Sequence, residues 1–469
     1  MADEGMVQMR PKFRDLLLTA TTLILVGGSA VAATAAPAVS NQPPLWAQGY
    51  AIGGTPAAAA ASADAVFITG SSAGHGTGLD YATVAYSAAT GARLWAARYN
   101  GQAKGTDSAH AIAVSPDGTV VFVTGGSAGP GTGQDYATIA YNAVSGARLW
   151  ASRYNGPGDG ADLAHAIAVS PDGTRLFVTG ESAGRGSGPD YETIAYNAAT
   201  GAPLWRERYS GAGAHPDAAT SMAVSPDGSA VYVTGHSAGS GSDYATIGYD
   251  TGSGARLWVT RYNGSASRDD VPSGLAVTPD GHEVVVTGTS RGRVDGDDYA
   301  TVAYNAADGT ALWVTRYNGP AGKTDISTGL AIGAAAGGGW NAVVAGYSDV
   351  GGFTGYDFTT IGYNATTGAP AWLSRYTSVG KRFDISAAIT DAPGGQLWMN
   401  GTGKSGKGGL VSIAYKTTSG VPQRTDRYIR PAIITAVAIA ANHDEVFSIG
   451  HADQGPGFVT LAYHANPTQ

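Results

Sequence analysis

The chain has 469 residues, with 70 glycines, 24 tyrosines and 9 tryptophans, while charged residues make up only 14%. It contains no cysteine, which excludes disulfides, thiolate metal sites, a thiol nucleophile, Cys-x-x-Cys-His haem attachment and a lipidated cysteine. The net charge of −8 argues against nucleic acid as a partner, and a 43% hydrophobic content excludes a charged disordered chain.

At the N-terminus, Met9 to Arg14 reads MRPKFR and carries three positive charges. An apolar run from Leu16 to Val31 follows, then the small-residue stretch Ala32-Ala33-Thr34-Ala35-Ala36. A basic start, an apolar middle and an Ala-x-Ala end are the parts of a secretory signal. Residues 1–35 are therefore expected to be a signal peptide cleaved after Ala35, with Met9 a suitable start; a retained anchor is the alternative. No later apolar stretch approaches ~18 residues, so the mature chain is expected to be secreted or held in the cell envelope without a membrane span.

After a linker at 36–44, residues 45–469 are predicted to form one domain of internal repeats. A segment ending in Ile-Ala-Tyr or a close variant places its tyrosine at Tyr86, Tyr141, Tyr196, Tyr249, Tyr304, Tyr363, Tyr415 and Tyr463, with gaps of 55, 55, 53, 55, 59, 52 and 48. Within the second unit, Ala109 to Val114, Val120 to Gly125, Asp135 to Tyr141 and Leu149 to Tyr154 are short β-branched and aromatic runs. Pro, Gly, Asn and Asp separate them, so they read as strands A, B, C and D joined by turns. Tyr136, Thr138 and Ala140 alternate with Ala137, Ile139 and Tyr141, so both faces of strand C are apolar or small. A sheet sandwiched between neighbours requires this, and an all-β, eight-bladed β-propeller of four-stranded antiparallel blades satisfies it. The repeat opens on a lone D-type run, Leu45 to Tyr50, and ends on a lone C-type run, Phe458 to Tyr463. Pairing the two closes the last blade and removes a sheet edge.

In such blades the B–C loops and D-to-A connections share one face, and the A–B and C–D turns share the other. The turn face carries Ser-Pro-Asp-Gly-type turns at Pro116, Pro171, Pro226 and Pro279. The loop face is longer, glycine-rich and less regular, so it is the expected working face. Two acidic sets point to it. Asp80, Asp135, Asp190, Asp243, Asp298 and Asp357 open strand C, opposite Arg98, Arg153, Arg208, Arg261, Arg316 and Arg375 at the end of strand D. These are expected to be cross-strand ion pairs. The seventh unit keeps Arg427 but has Gly409, and the eighth has Gly457 and Gly49 at the two positions.

Asp107, Asp162, Asp217, Asp270, Asp325 and Asp384 precede strand A, the innermost strand, and form the candidate channel-mouth site. His110 and His165, then Thr220, Ser273 and Thr328, follow three residues later. An oxygen-rich ring suits Ca²⁺ or a cationic ligand and imidazoles suit a transition metal; alternatively each aspartate caps its own turn. Departures from the repeat are candidate partner contacts: His75, Arg185 and His236 in B–C loops, the charged loop Arg291, Arg293, Asp295 and Asp297, and Glu192, which replaces an alanine of strand C. No Ser-His-Asp set or carboxylate pair emerges by spacing, and runs such as Gly129 to Gly133 join strand to strand, unlike a phosphate loop.

The turn Ala85-Tyr86-Ser87-Ala88-Ala89-Thr90-Gly91-Ala92-Arg93-Leu94-Trp95 resembles the tryptophan-docking motif A-x-D-x-x-T-G-x-x-x-W of propellers related to pyrroloquinoline-quinone enzymes. It recurs at Gly146/Trp150, Gly201/Trp205, Gly254/Trp258, Gly309/Trp313 and Gly368/Trp372, and departs in the seventh unit, where Arg424 follows Gly420. The units are also similar to short bacterial β-propeller repeats. The resemblance implies an eight-bladed fold with each tryptophan wedged between blades. The quinone dehydrogenases of the family carry a vicinal cysteine pair, absent here, and this chain shows no cytochrome segment and no recognisable calcium-ligand set. The reading is thus a monomeric binding or scaffolding module with a protein or cell-wall glycan partner and no quinone. An extracellular enzyme using the channel mouth, quinone-dependent or a metal-assisted hydrolase or lyase, is the alternative.

Overall fold

The computed structural model describes residues 33–35, 43–50, 54–74, 76–186, 188–211, 216–239, 241–292, 296–351, 355–377, 384–392, 394–403, 409–428, 434–442, 444–452 and 457–465. Most of the expected signal segment, His75, Arg293 and Asp295 lie outside these residues. Among the described residues no helix is long and apolar enough to cross a membrane.

Eight antiparallel sheets form the eight-bladed propeller. Blade 2 shows the plan: strand A is Asp107–Val114, B Val120–Gly129, C Gly133–Asn142 and D Arg148–Tyr154, hydrogen-bonded in that order. Blades 1, 3, 4, 5 and 7 repeat it over residues 54–99, 162–209, 218–262, 270–317 and 384–428. Strands A of neighbouring blades pack against one another, which puts them around the axis. Every strand A has a register shift against strand B, as between Ala109 and Ala111 in blade 2. A bulge of this kind re-aims the extra side chain. Here the extra residues include His110, His165, Thr220, Ser273 and Thr328, which explains why the sequence varies there.

Blade 8 is closed as expected. Strands Ile434–Ala441, Glu445–Ala452 and Phe458–His464 take Trp46–Tyr50 as their strand D, with Trp46 opposite Ala462 and Tyr50 opposite Phe458. Blade 6 departs from expectation. Its strands are Asp325–Ala334, Trp340–Asp349, Tyr356–Asn364 and Pro370–Tyr376, and Ala33–Ala35 adds a parallel fifth strand opposite Leu373 to Arg375.

The tryptophans wedge between blades. Trp95 lies between Phe67 of its own blade and Tyr141 of the next, at centroid distances of 5.9 and 6.0 Å, and its indole N–H donates to Ala143 O at 2.7 Å. Trp46, Trp150, Trp205, Trp258, Trp313 and Trp372 make the same donation to the following blade at 2.6–3.0 Å. An indole satisfies both needs at once, a large apolar body and a buried donor. In blade 7 the work is divided. The Arg424 guanidinium sits over the rings of Trp398 and Tyr463 at 6.0 and 5.5 Å, paired with Asp426, while Trp398 donates to Ala465 O at 3.3 Å. A stacked, paired guanidinium thus fills the wedge that the missing indole would occupy.

Candidate functional site

In blades 2 to 5 both acidic sets lie beside one another at the end of the sheet, in a hydrogen-bonded latch. In blade 2, Asp107, Ser127 and Asp135 stand side by side on strands A, B and C. Arg153 reaches across from strand D to Asp135 at 2.9 Å and to Ser127 Oγ at 2.5 Å. Ser127 Oγ donates to Asp107 Oδ1 at 2.6 Å, and Asp107 also accepts from Ala128 N at 3.0 Å and Gly101 N at 2.7 Å. One buried carboxylate therefore ties the D-to-A connection to the end of strand B. Asp162, Asp217, Asp270 and Asp325 accept the same loop amide, from Gly156, Gly211, Gly264 and Gly319, each at 2.6 Å. Asp384 is fully buried like the others.

The expected Asp–Arg pairs form in blades 1 to 5, at 2.6–3.2 Å. Blade 6 differs: Asp357 accepts from Thr377 Oγ1 at 2.6 Å, and Arg375 donates to Tyr317 Oη. The serine at the centre of the latch escaped the sequence reading. Its signal is a Thr-Gly-x-Ser run at Thr69 to Ser72, Thr124 to Ser127, Thr179 to Ser182, Thr234 to Ser237 and Thr287 to Ser290. Burial pushes the carboxyl of Asp162 up, and those of Asp270 and Asp325 up to about 6, against the lowering effect of these hydrogen bonds. Among the described residues no group of three His, Asp or Glu side chains is placed to hold a metal ion.

What the latch leaves over is the variable residue of Thr-Gly-x-Ser, together with the bulge residue of strand A. On blades 2 to 4 these supply His110, His165, Glu181 and His236. The His110 and His165 rings stack at 5.5 Å and 11°, His110 Nδ1 meets Ala164 O at 2.9 Å, and His165 Nε2 lies 3.9 Å from Glu181. Burial holds His110 below its ordinary value, with Ala164 O and Glu181 opposing and His165 reinforcing the effect. Burial does the same to His236, while Glu181 and Asp217 act against it. On blades 4 to 6 the bulge residues are hydroxylic, and those of blades 5 and 6 link to the next blade: Ser273 meets Ser327 at 3.0 Å and Thr328 meets Ser386 at 2.9 Å.

The loop departures divide. His236 lies within strand Ala230–Gly239, half-buried in the cluster just described, and is not a loop residue. Arg291 ends strand Glu283–Arg291 opposite Asp297 and is exposed. Arg185 is a true loop residue whose Nε donates to Pro157 O at 2.8 Å. Glu192 is buried between blades 2 and 3, where Arg208 Nε lies 3.4 Å away and Tyr154 donates to its carboxylate.

Burial pushes the Glu192 carboxyl from 4.5 up to about 7, only partly opposed by Arg208 and Tyr154. A carboxyl raised on folding favours the protonated native state. Its stabilising effect is present below pH ~4.5 and lost as pH rises towards 7, by about 3 kcal/mol. Asp270 and Asp325 act with the same sign at lower pH, so the Glu192 share is read as a difference. Glu192→Gln should stay flatter than the parent in denaturant melts between pH 5 and 7.5. Identical slopes would show that Glu192 does not titrate in that window.

The turn face is less plain than its sequence suggests. An open cavity of about 790 Å³ lies there between blades 1, 2, 7 and 8, lined by Asp64, Pro116, Asp117, Asp391 and Asn442 among others. Asp117 is already engaged by Ser115 at 2.5 Å and by Thr119 at 2.9 Å.

Residues 135–338 match the family model described as outer membrane protein assembly factor BamB. Outside that stretch the same four-stranded blades and docking tryptophans recur. The chain is a propeller of PQQ-like repeats. No curated protein sequence matches it. Among solved structures, the PQQ-like propeller superposes on Chaetomium thermophilum Sqt1 bound to the N-terminus of ribosomal protein L10, with TM-score 0.57 and 13% identity over 89% of this chain and 100% of that one. The quinohemoprotein alcohol dehydrogenase ADHIIG of Pseudomonas putida HK5 gives 0.53 and 12% over 92% and 78%. BamB from Moraxella catarrhalis gives 0.46 and 14% over 86% and 95%. At such identities the first two likenesses speak for the fold of the PQQ-like propeller alone.

Proposed function

We propose that this PQQ-like propeller is an exported binding or scaffolding module of the cell envelope, with a protein or cell-wall glycan held on its loop-bearing face. The observation that carries the reading is the latch. The mouth aspartates are consumed in holding loops, while the variable positions beside them, Glu181, His236, His110 and His165, are left for recognition. The assembly-factor description of the matching family agrees with this, as does the peptide held by the Sqt1 propeller. The test compares the parent with Glu181→Ala/His236→Ala and Arg185→Ala for saturable binding to envelope proteins and to isolated peptidoglycan. The reading expects at least tenfold weaker binding with unchanged melting, and no melting shift of the parent with Ca²⁺, Zn²⁺ or pyrroloquinoline quinone. A stoichiometric quinone or metal that raises the melting temperature, and loses that effect in Asp107→Asn/Asp162→Asn, would overturn it in favour of the enzyme.

A further inference from the structure

We infer that the Asn-Gly pairs at Asn100, Asn155, Asn263 and Asn318 are sites of spontaneous deamidation, and that the buried strand-A aspartate beside each is the brake that preserves the asparagine. The chain has five Asn-Gly pairs. One of them, Asn400-Gly401, is buried inside strand Gln396–Gly403. The other four open the D-to-A connections after blades 1, 2, 4 and 5, where each asparagine is exposed and each glycine buried. In the reaction the glycine backbone nitrogen attacks Cγ of the asparagine. The N–Cγ bond forms, the Cγ–Nδ2 bond breaks, and ammonia leaves with the proton of the glycine nitrogen. Water then opens the cyclic imide at either carbonyl, giving aspartate or its β-linked isomer. Asparagine is thermolabile for this reason, and a following glycine has no side chain to hinder the ring.

The fold demands the glycine and not the asparagine. A Cβ on Gly101, Gly156, Gly264 or Gly319 would run into Ser127, Ser182, Ser290 or Ser348 of strand B and into the aspartate beside it. Ser210-Gly211 shows that asparagine is dispensable, since Gly211 N donates to Asp217 at 2.6 Å as the others do. The residue that makes a preceding asparagine labile is thus fixed by packing. The same packing disarms it. The glycine N–H that must lose its proton donates to Asp107, Asp162, Asp270 or Asp325 at 2.6–2.7 Å. A carboxylate so close opposes an anionic nitrogen, and a short charge-assisted bond ties that nitrogen down. Asn155 is held a second time, its Nδ2 donating to Asp159 Oδ1 at 2.9 Å. Each conversion adds a negative charge to the loop face, and the β-linked product also lengthens the backbone before the glycine. The inference goes beyond the binding-module reading and does not depend on it.

The test incubates the full-length parent, Asp107→Asn and Asp162→Asn, all folded and at one temperature, and follows Asn100 and Asn155 by peptide mass spectrometry. Synthetic peptides of residues 95–105 and 150–160 give the rates without the brake. In the parent both asparagines should convert at least tenfold more slowly than in the peptides. Asp107→Asn should speed Asn100 at least tenfold and leave Asn155 as it was, and Asp162→Asn should do the reverse. Each variant carries its own control in this way. A parent that matches the peptides, or a variant whose own site keeps the parent rate, overturns the proposal. Acceleration of both sites in one variant also overturns it, because general loosening of the ring is then the cause. If either variant does not fold, Asp270→Asn with Asn263 as its reporter takes its place under the same criteria.

Discussion

Trp46→Ala should destabilise the propeller by about 3–5 kcal/mol, as much as Trp150→Ala within a chain-continuous blade. Trp46 is 42 residues from the carbonyl it reaches, Ala88 O at 2.6 Å, and packs against Tyr86 and Phe447 at 6.2 and 5.8 Å. Its loss opens a cavity between blades 8 and 1 and leaves that carbonyl without its indole donor. Deleting residues 41–50 should cost more, because the ladder from Trp46/Ala462 to Tyr50/Phe458 goes with it. Urea unfolding of the two point variants and the deletion is the measurement. A Trp46 variant within ~0.5 kcal/mol of the parent would show that the terminal strand contributes little to blade 8.

Gly146→Ala should cost about 2–5 kcal/mol, against about 1 kcal/mol for Gly118→Ala. Both glycines have positive φ, 69° and 73°, which a side chain rarely adopts. Only Gly146 also lies against an indole: a Cβ there would meet Trp95 Cδ2 at 2.6 Å, whereas at Gly118 the nearest atom is 3.5 Å away. The same contact recurs between Gly91 and Trp46, Gly201 and Trp150, and Gly254 and Trp205. The glycine of the docking motif thus serves two demands, a left-handed turn and a face for the previous blade's tryptophan. Equal costs for the two substitutions in thermal or urea melts would reduce it to turn geometry alone.

Much of this was legible because the repeat states each contact several times. A fixed tyrosine, a Gly-x-x-x-Trp turn and paired Asp and Arg positions give the blades, the wedge and five of the ion pairs. Other features depend on neighbours distant in sequence. Arg424 reads as a lost tryptophan until Trp398 and Tyr463 are seen on either side of its guanidinium. Ser127 is an ordinary serine until Arg153 and Asp107 are seen to meet through it. Nothing in Ala33-Thr34-Ala35 marks a strand, since its pairing is made by backbone alone. The His110–His165 stack needs the bulges of two adjacent blades to aim the rings at one another. That is why spacing along the chain found the imidazoles but not the role of Glu181 beside them.

A disulfide tests ring closure most directly, because the chain brings no cysteine of its own. Gln48 and Thr460 are antiparallel partners in blade 8, at a separation of the kind a disulfide spans, about 4.5–5.5 Å between Cα atoms. Gln48→Cys/Thr460→Cys should oxidise within one molecule, and its proteolytic map should join the N-terminal and C-terminal peptides. Gln48→Cys/Ser412→Cys, with its second cysteine in blade 7, should remain reduced under the same conditions. A first pair that stays reduced in the folded protein, or that links only between molecules, would contradict the closed eight-bladed ring.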